Sequence, residues 1–294
     1  MDTSIYFANG TLRAVAGSAG KRSLTVEDAA TLKLPEGALI NGVITGEEAL
    51  ATAIHTLREE HPRMPMRNVR LAFDSSMIYF KQAELPRLSV KRTLEMVRGE
   101  FSEMDEELLY DYAVLSPRTE NGGMYVLLNA VKRELIMSYI AFFQSQGITL
   151  SAISTALSSQ IKLVRALPGL GRETFIMLVL DGNMLGASLY VEGRFRFANR
   201  ARLFAERGSE ALEAEIERTV STLIQFNQSE KSGATISHLY LCGLIREEEG
   251  IHGDVCRAFG LKRGLLTGEG LIHSRSAEFD LTDYIYATGN LLRM

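Results

Sequence analysis

Residues 4–18 read SIYFANGTLRAVAGS, a stretch that predicts a β-hairpin. Apolar residues alternate on both sides of Asn9-Gly10, a pair that favours a tight turn because both residues tolerate positive φ. A hairpin followed by a third strand, a helix and a further strand is predicted here and again from residue 174, where the chain reads TFIMLVLDGNMLGASLYVEG. This repetition predicts an α/β protein with a duplicated core.

The segment between the two predicted repeats has a different pattern. Residues 76–150 predict strand, helix, strand, strand and helix, enough for a small inserted α+β subdomain. Residues 151–170 predict a strand and a helix that return to the first core domain. The predicted organisation is a first core domain at 1–75 and 151–170, an inserted subdomain at 76–150, and a second core domain at 171–294.

The first predicted helix has a start signal in the sequence. Thr45 precedes it, and Glu48 follows three residues later, which is the spacing of a capping box. We expect the Thr45 side chain to cap this helix.

Composition excludes several functional classes. The 294 residues carry 32 Lys+Arg and 36 Asp+Glu, a net charge of −4 without the basic excess of a nucleic-acid binder. Cys242 and Cys256 are too few for a disulfide framework, and the five histidines form no metal-binding motif. The sequence lacks a signal peptide and an apolar stretch long enough to span a membrane, which predicts a cytoplasmic protein.

Five short segments, in this order along the chain, resemble the type IV pilus assembly protein PilM family, actin-like ATPases related to FtsA. They are LPEGALINGVITGEEAL (34–50), FKQAELPRLS (80–89), AEIERTV (214–220), LYLCG (239–243) and GNLLR (289–293). The resemblance implies a duplicated actin-like, ribonuclease H-like core with a small inserted subdomain.

The resemblance also implies a nucleotide site whose first hairpin is degenerate. Where such hairpins carry an Asp that holds metal-bound water, IYFANGTLR places Tyr6. Asn9, Gly10 and Thr11 retain N–H groups for a phosphate, and Arg13 falls where the family often has Lys. Loss of the carboxylate removes a metal anchor that phosphoryl transfer requires.

The other implied nucleotide contacts are also altered. Asp181, Gly182 and Asn183 lie near the second phosphate turn, where Asp181 is a candidate magnesium ligand; the alternative is a simple hairpin turn. On the adenosine side, these folds carry a pair of glycines, of which this chain keeps Gly243. Glu215 lies where these folds place an acid that contacts the ribose; the alternative is that Glu215 simply favours the helix. The sequence therefore predicts little or no ATPase activity, with bound ATP and magnesium left open.

The predicted function is a cytoplasmic adaptor at the inner face of the cell membrane, in a type IV pilus or type II secretion-like platform. By resemblance, its partners are the cytoplasmic N-terminal tail of a PilN-like membrane protein and other platform components. The tail is expected near the junction of 1–75 and 76–150, where Ile78 and Phe80 are either core or groove residues, core being the commoner place for such side chains. The alternative is an active ATPase or sugar-kinase-like enzyme on the same superfold.

Overall fold

The structure, a computed structural model, describes residues 1–8, 10–104, 107–230 and 233–292. The strands are β1 Asp2–Ala8, β2 Thr11–Ala19, β3 Leu24–Lys33, β4 Leu39–Ile40, β5 Val43–Ile44, β6 Asn68–Phe73, β7 Ile78–Leu85, β8 Leu108–Ser116, β9 Met124–Lys132, β10 Thr149–Thr155, β11 Phe175–Asp181, β12 Met184–Val191, β13 Arg194–Arg202, β14 His238–Cys242, β15 Lys262–Gly264 and β16 Ile272–Ser274. The α-helices are α1 Glu47–Glu60, α2 Val90–Gly99, α3 Arg133–Ser145, α4 Ala156–Ala166, α5 Glu210–Ser229, α6 Glu249–Phe259 and α7 Ile285–Leu291.

Two mixed sheets confirm the predicted duplication. The first has the order β10-β6-β1-β2-β3-β16, and the second has the order β13-β12-β11-β14-β15. In each, an antiparallel hairpin is extended by a third antiparallel strand on one side and by a parallel strand on the other. Both central strands are buried on both faces because each sheet is covered on both sides, and β11 is buried along its whole length.

Three hydrophobic cores cover the faces of these two sheets. One core lies between the two sheets and includes residues of α4 and α7. A second lies on the outer face of the first sheet, under α1 and α3, and a third lies on the outer face of the second sheet, under α5 and α6. Helix α3 falls in the predicted inserted segment, yet Leu135, Tyr139, Phe142 and Phe143 pack on the first sheet.

The inserted segment forms a three-stranded antiparallel sheet in the order β7-β9-β8. Helix α2 covers one face of this sheet, where Val97 and Phe101 pack with Leu85, Val126 and Leu128. The predicted order of strand, helix, strand, strand and helix is confirmed. The opposite face of the sheet points towards the two larger sheets.

The start of α1 differs from the prediction. The cap residue is Gly46, and no side chain caps the helix. Thr45 instead donates its hydroxyl hydrogen bond to the carbonyl of Gly37 in the preceding turn. The predicted capping box is therefore wrong, because the Thr45 hydroxyl is used to close the β4–β5 segment.

Residues 272–291 pack on the first sheet, although the predicted boundaries place them with the second core domain. Strand β16 pairs with β3 in parallel, and α7 contacts β1, β2 and β6. Helices α4 and α7 also pack closely against each other. The domain boundaries themselves stay a prediction. None of the helices in the described ranges is both long and apolar enough to cross a membrane.

We expect Gly289→Ala to destabilise the protein by about 2 kcal/mol, because a Cβ there would overpack the contact between α7 and α4. That Cβ would lie 2.0 Å from the carbonyl oxygen of Ser159, which is backbone and cannot rotate away. Urea unfolding measures the change. Gly169→Ala is the matched control, since nothing lies within 4 Å of its Cβ position. Equal losses in the two variants would contradict the role given to this contact.

Candidate functional site

The two central hairpins meet at the bottom of the cleft between the sheets. Tyr6 of β1 donates a hydrogen bond from its hydroxyl to Oδ2 of Asp181, at the end of β11, over 2.7 Å. Tyr6 is 2% exposed and Asp181 8% exposed, so this bond is inside the protein. Burial, together with the charges of Asp181 and Asp74, raises the pKa of Tyr6 well above its ordinary value. The phenol therefore stays protonated and remains a donor.

A second set of contacts crosses the cleft next to this bond. Arg200 of β13 pairs with Asp74, the residue after β6, with 2.7 Å between Nε and Oδ2. It also donates from Nη1 to Oδ1 of Asn41 over 2.9 Å, and Asn41 is bonded in turn to Ser76. Burial raises the pKa of Asp74, and Arg200 partly offsets this. A protein cation thus neutralises a carboxylate of the cleft.

An arginine–glutamate pair ties together the turns of the second sheet. Glu248 is fully buried, and its carboxylate accepts from Arg207 at 2.7 and 2.5 Å and from the N–H groups of Gly208 and Ile245. Burial raises the pKa of Glu248, but these hydrogen bonds outweigh it and hold the pKa below its ordinary value. Arg207 also donates to the carbonyl of Gly243 at 2.8 Å.

Of the residues predicted for a nucleotide, Asp181 and Asn183 line a cavity of about 460 Å³ between the two hairpins, together with Tyr6, Asp74 and Arg200. Gly10, Thr11 and Arg13 do not line it. Asn9 lies outside the described residues, while Gly10 occupies the hairpin turn with φ +88° and accepts from the Leu34 N–H. Thr11 begins β2. Arg13 donates to the carbonyl of Asp283 at 2.8 Å.

On the second sheet, the predicted residues serve the local backbone. Gly182 and Asn183 form the β11–β12 turn, whose carbonyls accept from Arg207 and from the Leu203 N–H. Glu215 accepts from the Phe204 N–H at 3.0 and 3.3 Å, so its carboxylate is used to bind a loop. Gly243 has φ +74°, and a Cβ there would lie 2.2 Å from the carbonyl oxygen of Leu180.

Several groups to which the resemblance assigns metal or nucleotide contacts already bond to other groups of the protein. Tyr6 stands where a carboxylate would anchor the metal, and its hydroxyl is bonded to Asp181, the candidate magnesium ligand. The Arg207 guanidinium donates to the carbonyls of both Gly182 and Gly243, the turns to which the resemblance assigns phosphate and adenosine. Across the described ranges, no three His, Cys, Asp or Glu side chains are placed to share a metal ion.

A groove of about 650 Å³ lies between the first sheet and the inserted sheet. One wall is the edge strand β8, whose residues 109–113 all line the groove, and the other is the edge strand β10, with residues 153–155. Each of these strands pairs with a single neighbour in the part of the chain that the structure describes. An edge strand offers its unpaired N–H and C=O groups to a further extended segment.

The groove floor combines apolar and charged groups. Phe73, Val131, Ile136 and Ile153 line it, together with the half-buried Arg70 and Lys162 and the exposed Asp111. A second cavity of about 450 Å³ adjoins it and extends towards β12 and β13. Phe80, for which the sequence left core and groove open, is 40% exposed and lines this second cavity with Ile78, so Phe80 is not a core residue.

Sequence reasoning missed both the ion pair that crosses the cleft and the ion pair of the second sheet. Asp74, Arg200, Arg207 and Glu248 belong to no motif, and each gains its role only when distant segments meet. The groove had one visible signal. Asn129 interrupts the apolar strand MYVLLNAV at 124–131, and a lone polar residue in such a strand indicates a special contact.

The chain has the actin-like ATPase fold. A Bacteroides thetaiotaomicron protein with an actin-like ATPase fold and unknown function superposes with a TM-score of 0.51 at 11% identity, over 92% of this chain and 90% of that one. The cytoplasmic domain of EpsL, an inner-membrane component of the type II secretion system of Vibrio cholerae, superposes with a TM-score of 0.52 at 10% identity, over 98% and 94%.

Within this class, the structure is PilM-like. A chain of the PilM–PilN type IV pilus biogenesis complex superposes with a TM-score of 0.80 at 16% identity, covering 99% of this chain and 97% of that chain. The fold predicted from the five short segments is confirmed. No family model matches the sequence, and no curated protein matches it.

Proposed function

We propose that this protein is a cytoplasmic adaptor of a type IV pilus or related secretion platform, and that it binds the cytoplasmic tail of a PilN-like membrane protein. The groove between β8 and β10 is the observation that carries this proposal. Support comes from the PilM-like fold, since a structure of that fold is part of a complex with PilN. Binding of the tail would hold the adaptor at the inner face of the membrane.

The groove suits an extended segment better than a helix or a compact domain. Consecutive residues 109–113 of β8 face it, which is the arrangement at a strand edge rather than at a strand face. An added strand gains main-chain hydrogen bonds from such an edge, while pockets between the side chains give specificity. The apolar residues Phe73, Val131 and Ile153 supply those pockets.

The interdomain cleft has a structural role in this proposal. Tyr6–Asp181 and Arg200–Asp74 join the two sheets through the protein's own groups. The orientation of the two halves then depends on these contacts rather than on a nucleotide, and the groove beside them keeps its shape without one.

We expect no saturable heat when magnesium-ATP is titrated into the protein in a calorimeter, because Tyr6 replaces the carboxylate that would anchor the metal and its hydroxyl is bonded to Asp181. The same titration of an Asp181→Ala variant serves as the comparison. Saturable binding by the wild type that is lost in the variant would contradict this expectation and would favour a nucleotide-gated adaptor or an ATPase.

We expect Ala113→Trp to weaken tail binding at least about 100-fold, because an indole on β8 fills the groove and blocks the strand edge. The probe is a fluorescein-labelled peptide of the first 20 or so residues of a PilN-like protein from the same genome, followed by anisotropy. Ala141→Trp is the control, since Ala141 is exposed on α3 and does not line the groove. Equal binding by both variants would exclude the groove.

A further inference from the structure

Asn129 on β9 is the most unusual polar residue facing the groove. It is 8% exposed, its Oδ1 accepts no hydrogen bond from the described residues, and its Nδ2 lies 3.5 Å from the carbonyl of Leu127, at the outer limit of a bond. A buried amide without good hydrogen bonds lowers the stability of the folded protein by about 1–3 kcal/mol. Such a group in a folded protein therefore calls for an explanation other than stability, such as the binding of a ligand.

The position of Asn129 connects it to a ligand rather than to the core. It forms a cross-strand row with Phe80 and Asp111, and this row lies on the face of the inserted sheet opposite α2. Asn129 and Thr155 line both the 650 Å³ groove and the 450 Å³ cavity, so they mark the point where the two spaces adjoin. Apolar residues Leu127 and Val131 flank Asn129 on the same face.

Two cations lie in the same groove without a carboxylate bonded to them. Within the described chain, Arg70 and Lys162 form no ion pair of 4 Å or less, and Nε of Arg70 is buried without an acceptor. Burial lowers the pKa of Lys162, Arg70 lowers it further, and Asp111 opposes the change. Arg70 and Lys162 share the groove with one exposed carboxylate, Asp111, so the charged side chains that line the groove carry a net positive charge.

We infer that the groove recognises an extended peptide segment that presents a carboxylate side chain to Arg70 and Lys162 and a main-chain amide to Asn129. The carboxylate supplies the acceptor that the two cations lack. The carboxamide of Asn129 accepts from the N–H and donates to the C=O of the same ligand peptide unit, a pairing that its planar geometry allows. This inference rests on the proposed function, because it names the chemistry of the segment that occupies the same groove.

The stability of one variant separates recognition from a structural role. Asn129→Leu removes a poorly bonded amide from an apolar row, so it leaves the melting temperature unchanged or raises it. An asparagine kept for folding would instead give a lower melting temperature. Peptide binding by this variant weakens about tenfold, while the preference for an acidic residue remains.

The test selects ligands without assuming a sequence. A phage library of random 12-residue peptides is panned on the full chain. Peptides that bind the wild type but not the Ala113→Trp variant are kept as groove ligands. The kept peptides share an Asp or Glu at one position, and replacing it with Asn or Gln weakens binding about 10- to 100-fold. Lys162→Met removes most of that difference, Lys162→Arg restores it, and Lys33→Met, an exposed charge on β3, leaves it unchanged.

Each outcome decides a separate statement. Groove peptides without a shared acidic position, or with an acid preference that Lys162→Met does not change, overturn the inference and leave the groove as a peptide site. Unchanged binding to Asn129→Leu overturns the part assigned to the amide. A library that yields no peptide sensitive to Ala113→Trp overturns the proposed function itself.

Discussion

Glu248→Ala is expected to lower the free energy of unfolding by about 4 kcal/mol, because it leaves the half-buried Arg207 without its carboxylate partner. The wild-type carboxylate is fully buried and accepts four hydrogen bonds, two from Arg207 and one each from the N–H groups of Gly208 and Ile245. All four donors lose their acceptor at once. Urea unfolding followed by circular dichroism measures the loss.

The control for this variant is the neighbouring residue. Glu247→Ala removes an exposed carboxylate one position earlier, and we expect less than about 0.5 kcal/mol of change. A similar loss in both variants would mean that the backbone segment 246–248 matters for stability and the buried ion pair does not.

The same pair predicts a pH dependence. The pKa of Glu248 is lower in the folded protein than in the unfolded chain, where a glutamate titrates at about 4.3. Its contribution is therefore present above that pH and is lost as the pH falls through the lowered value. We expect the stability difference between wild type and Glu248→Ala to narrow below about pH 4.

Tyr6→Asp is expected to destabilise the protein by about 3–5 kcal/mol at pH 7, even though it restores the residue type found in actin-like ATPases. The new carboxylate would be buried beside Asp181 and near Asp74, and it would replace a donor with a like charge. Burial and these neighbours raise the pKa of such a group, so the penalty grows as the pH rises above about 4 and is relieved on acidification.

Tyr6→Phe is the matched comparison, because it keeps the ring and removes only the hydroxyl. We expect it to cost about 1–2 kcal/mol, through the lost bond to Asp181. Tyr79→Phe, on the inserted sheet, controls for the loss of a hydroxyl outside the cleft. If Tyr6→Asp were as stable as the wild type, the cleft would tolerate the acid and the stabilising role assigned to the Tyr6–Asp181 bond would be wrong.

The architecture could be predicted because it rests on local patterns. The turns at Asn9-Gly10 and Asp181-Gly182, the alternation around them and the long periodic helix at 210–229 each carry a signal within one segment. The cleft could not be predicted in the same way. Asp74 and Arg200 are 126 positions apart, and a charged residue after a strand or in an edge strand is ordinary until the partner is known.

The groove could be predicted from the sequence only in part. Asn129 was visible as a polar residue in an apolar strand, but Arg70 and Lys162 sit in unremarkable strand and helix patterns. The sequence could suggest that something is recognised near the inserted segment. Only the meeting of β8, β10 and α4 in space brings an amide and two cations to one groove.

The return of segment 272–291 to the first sheet has a consequence for synthesis of the protein. Asn290 donates to the hydroxyl of Ser4 over 3.1 Å, so residues 286 positions apart share a buried bond. At about 5–20 residues per second, a ribosome needs about 15–60 s to make that length of chain. Five of the six strands of the first sheet are complete once residue 155 is made, so the sheet lacks β16 and α7 for about the second half of this time. The first domain to be made is therefore the last to be completed, and an emerging chain exposes apolar residues of β1 and β2 that a chaperone can bind.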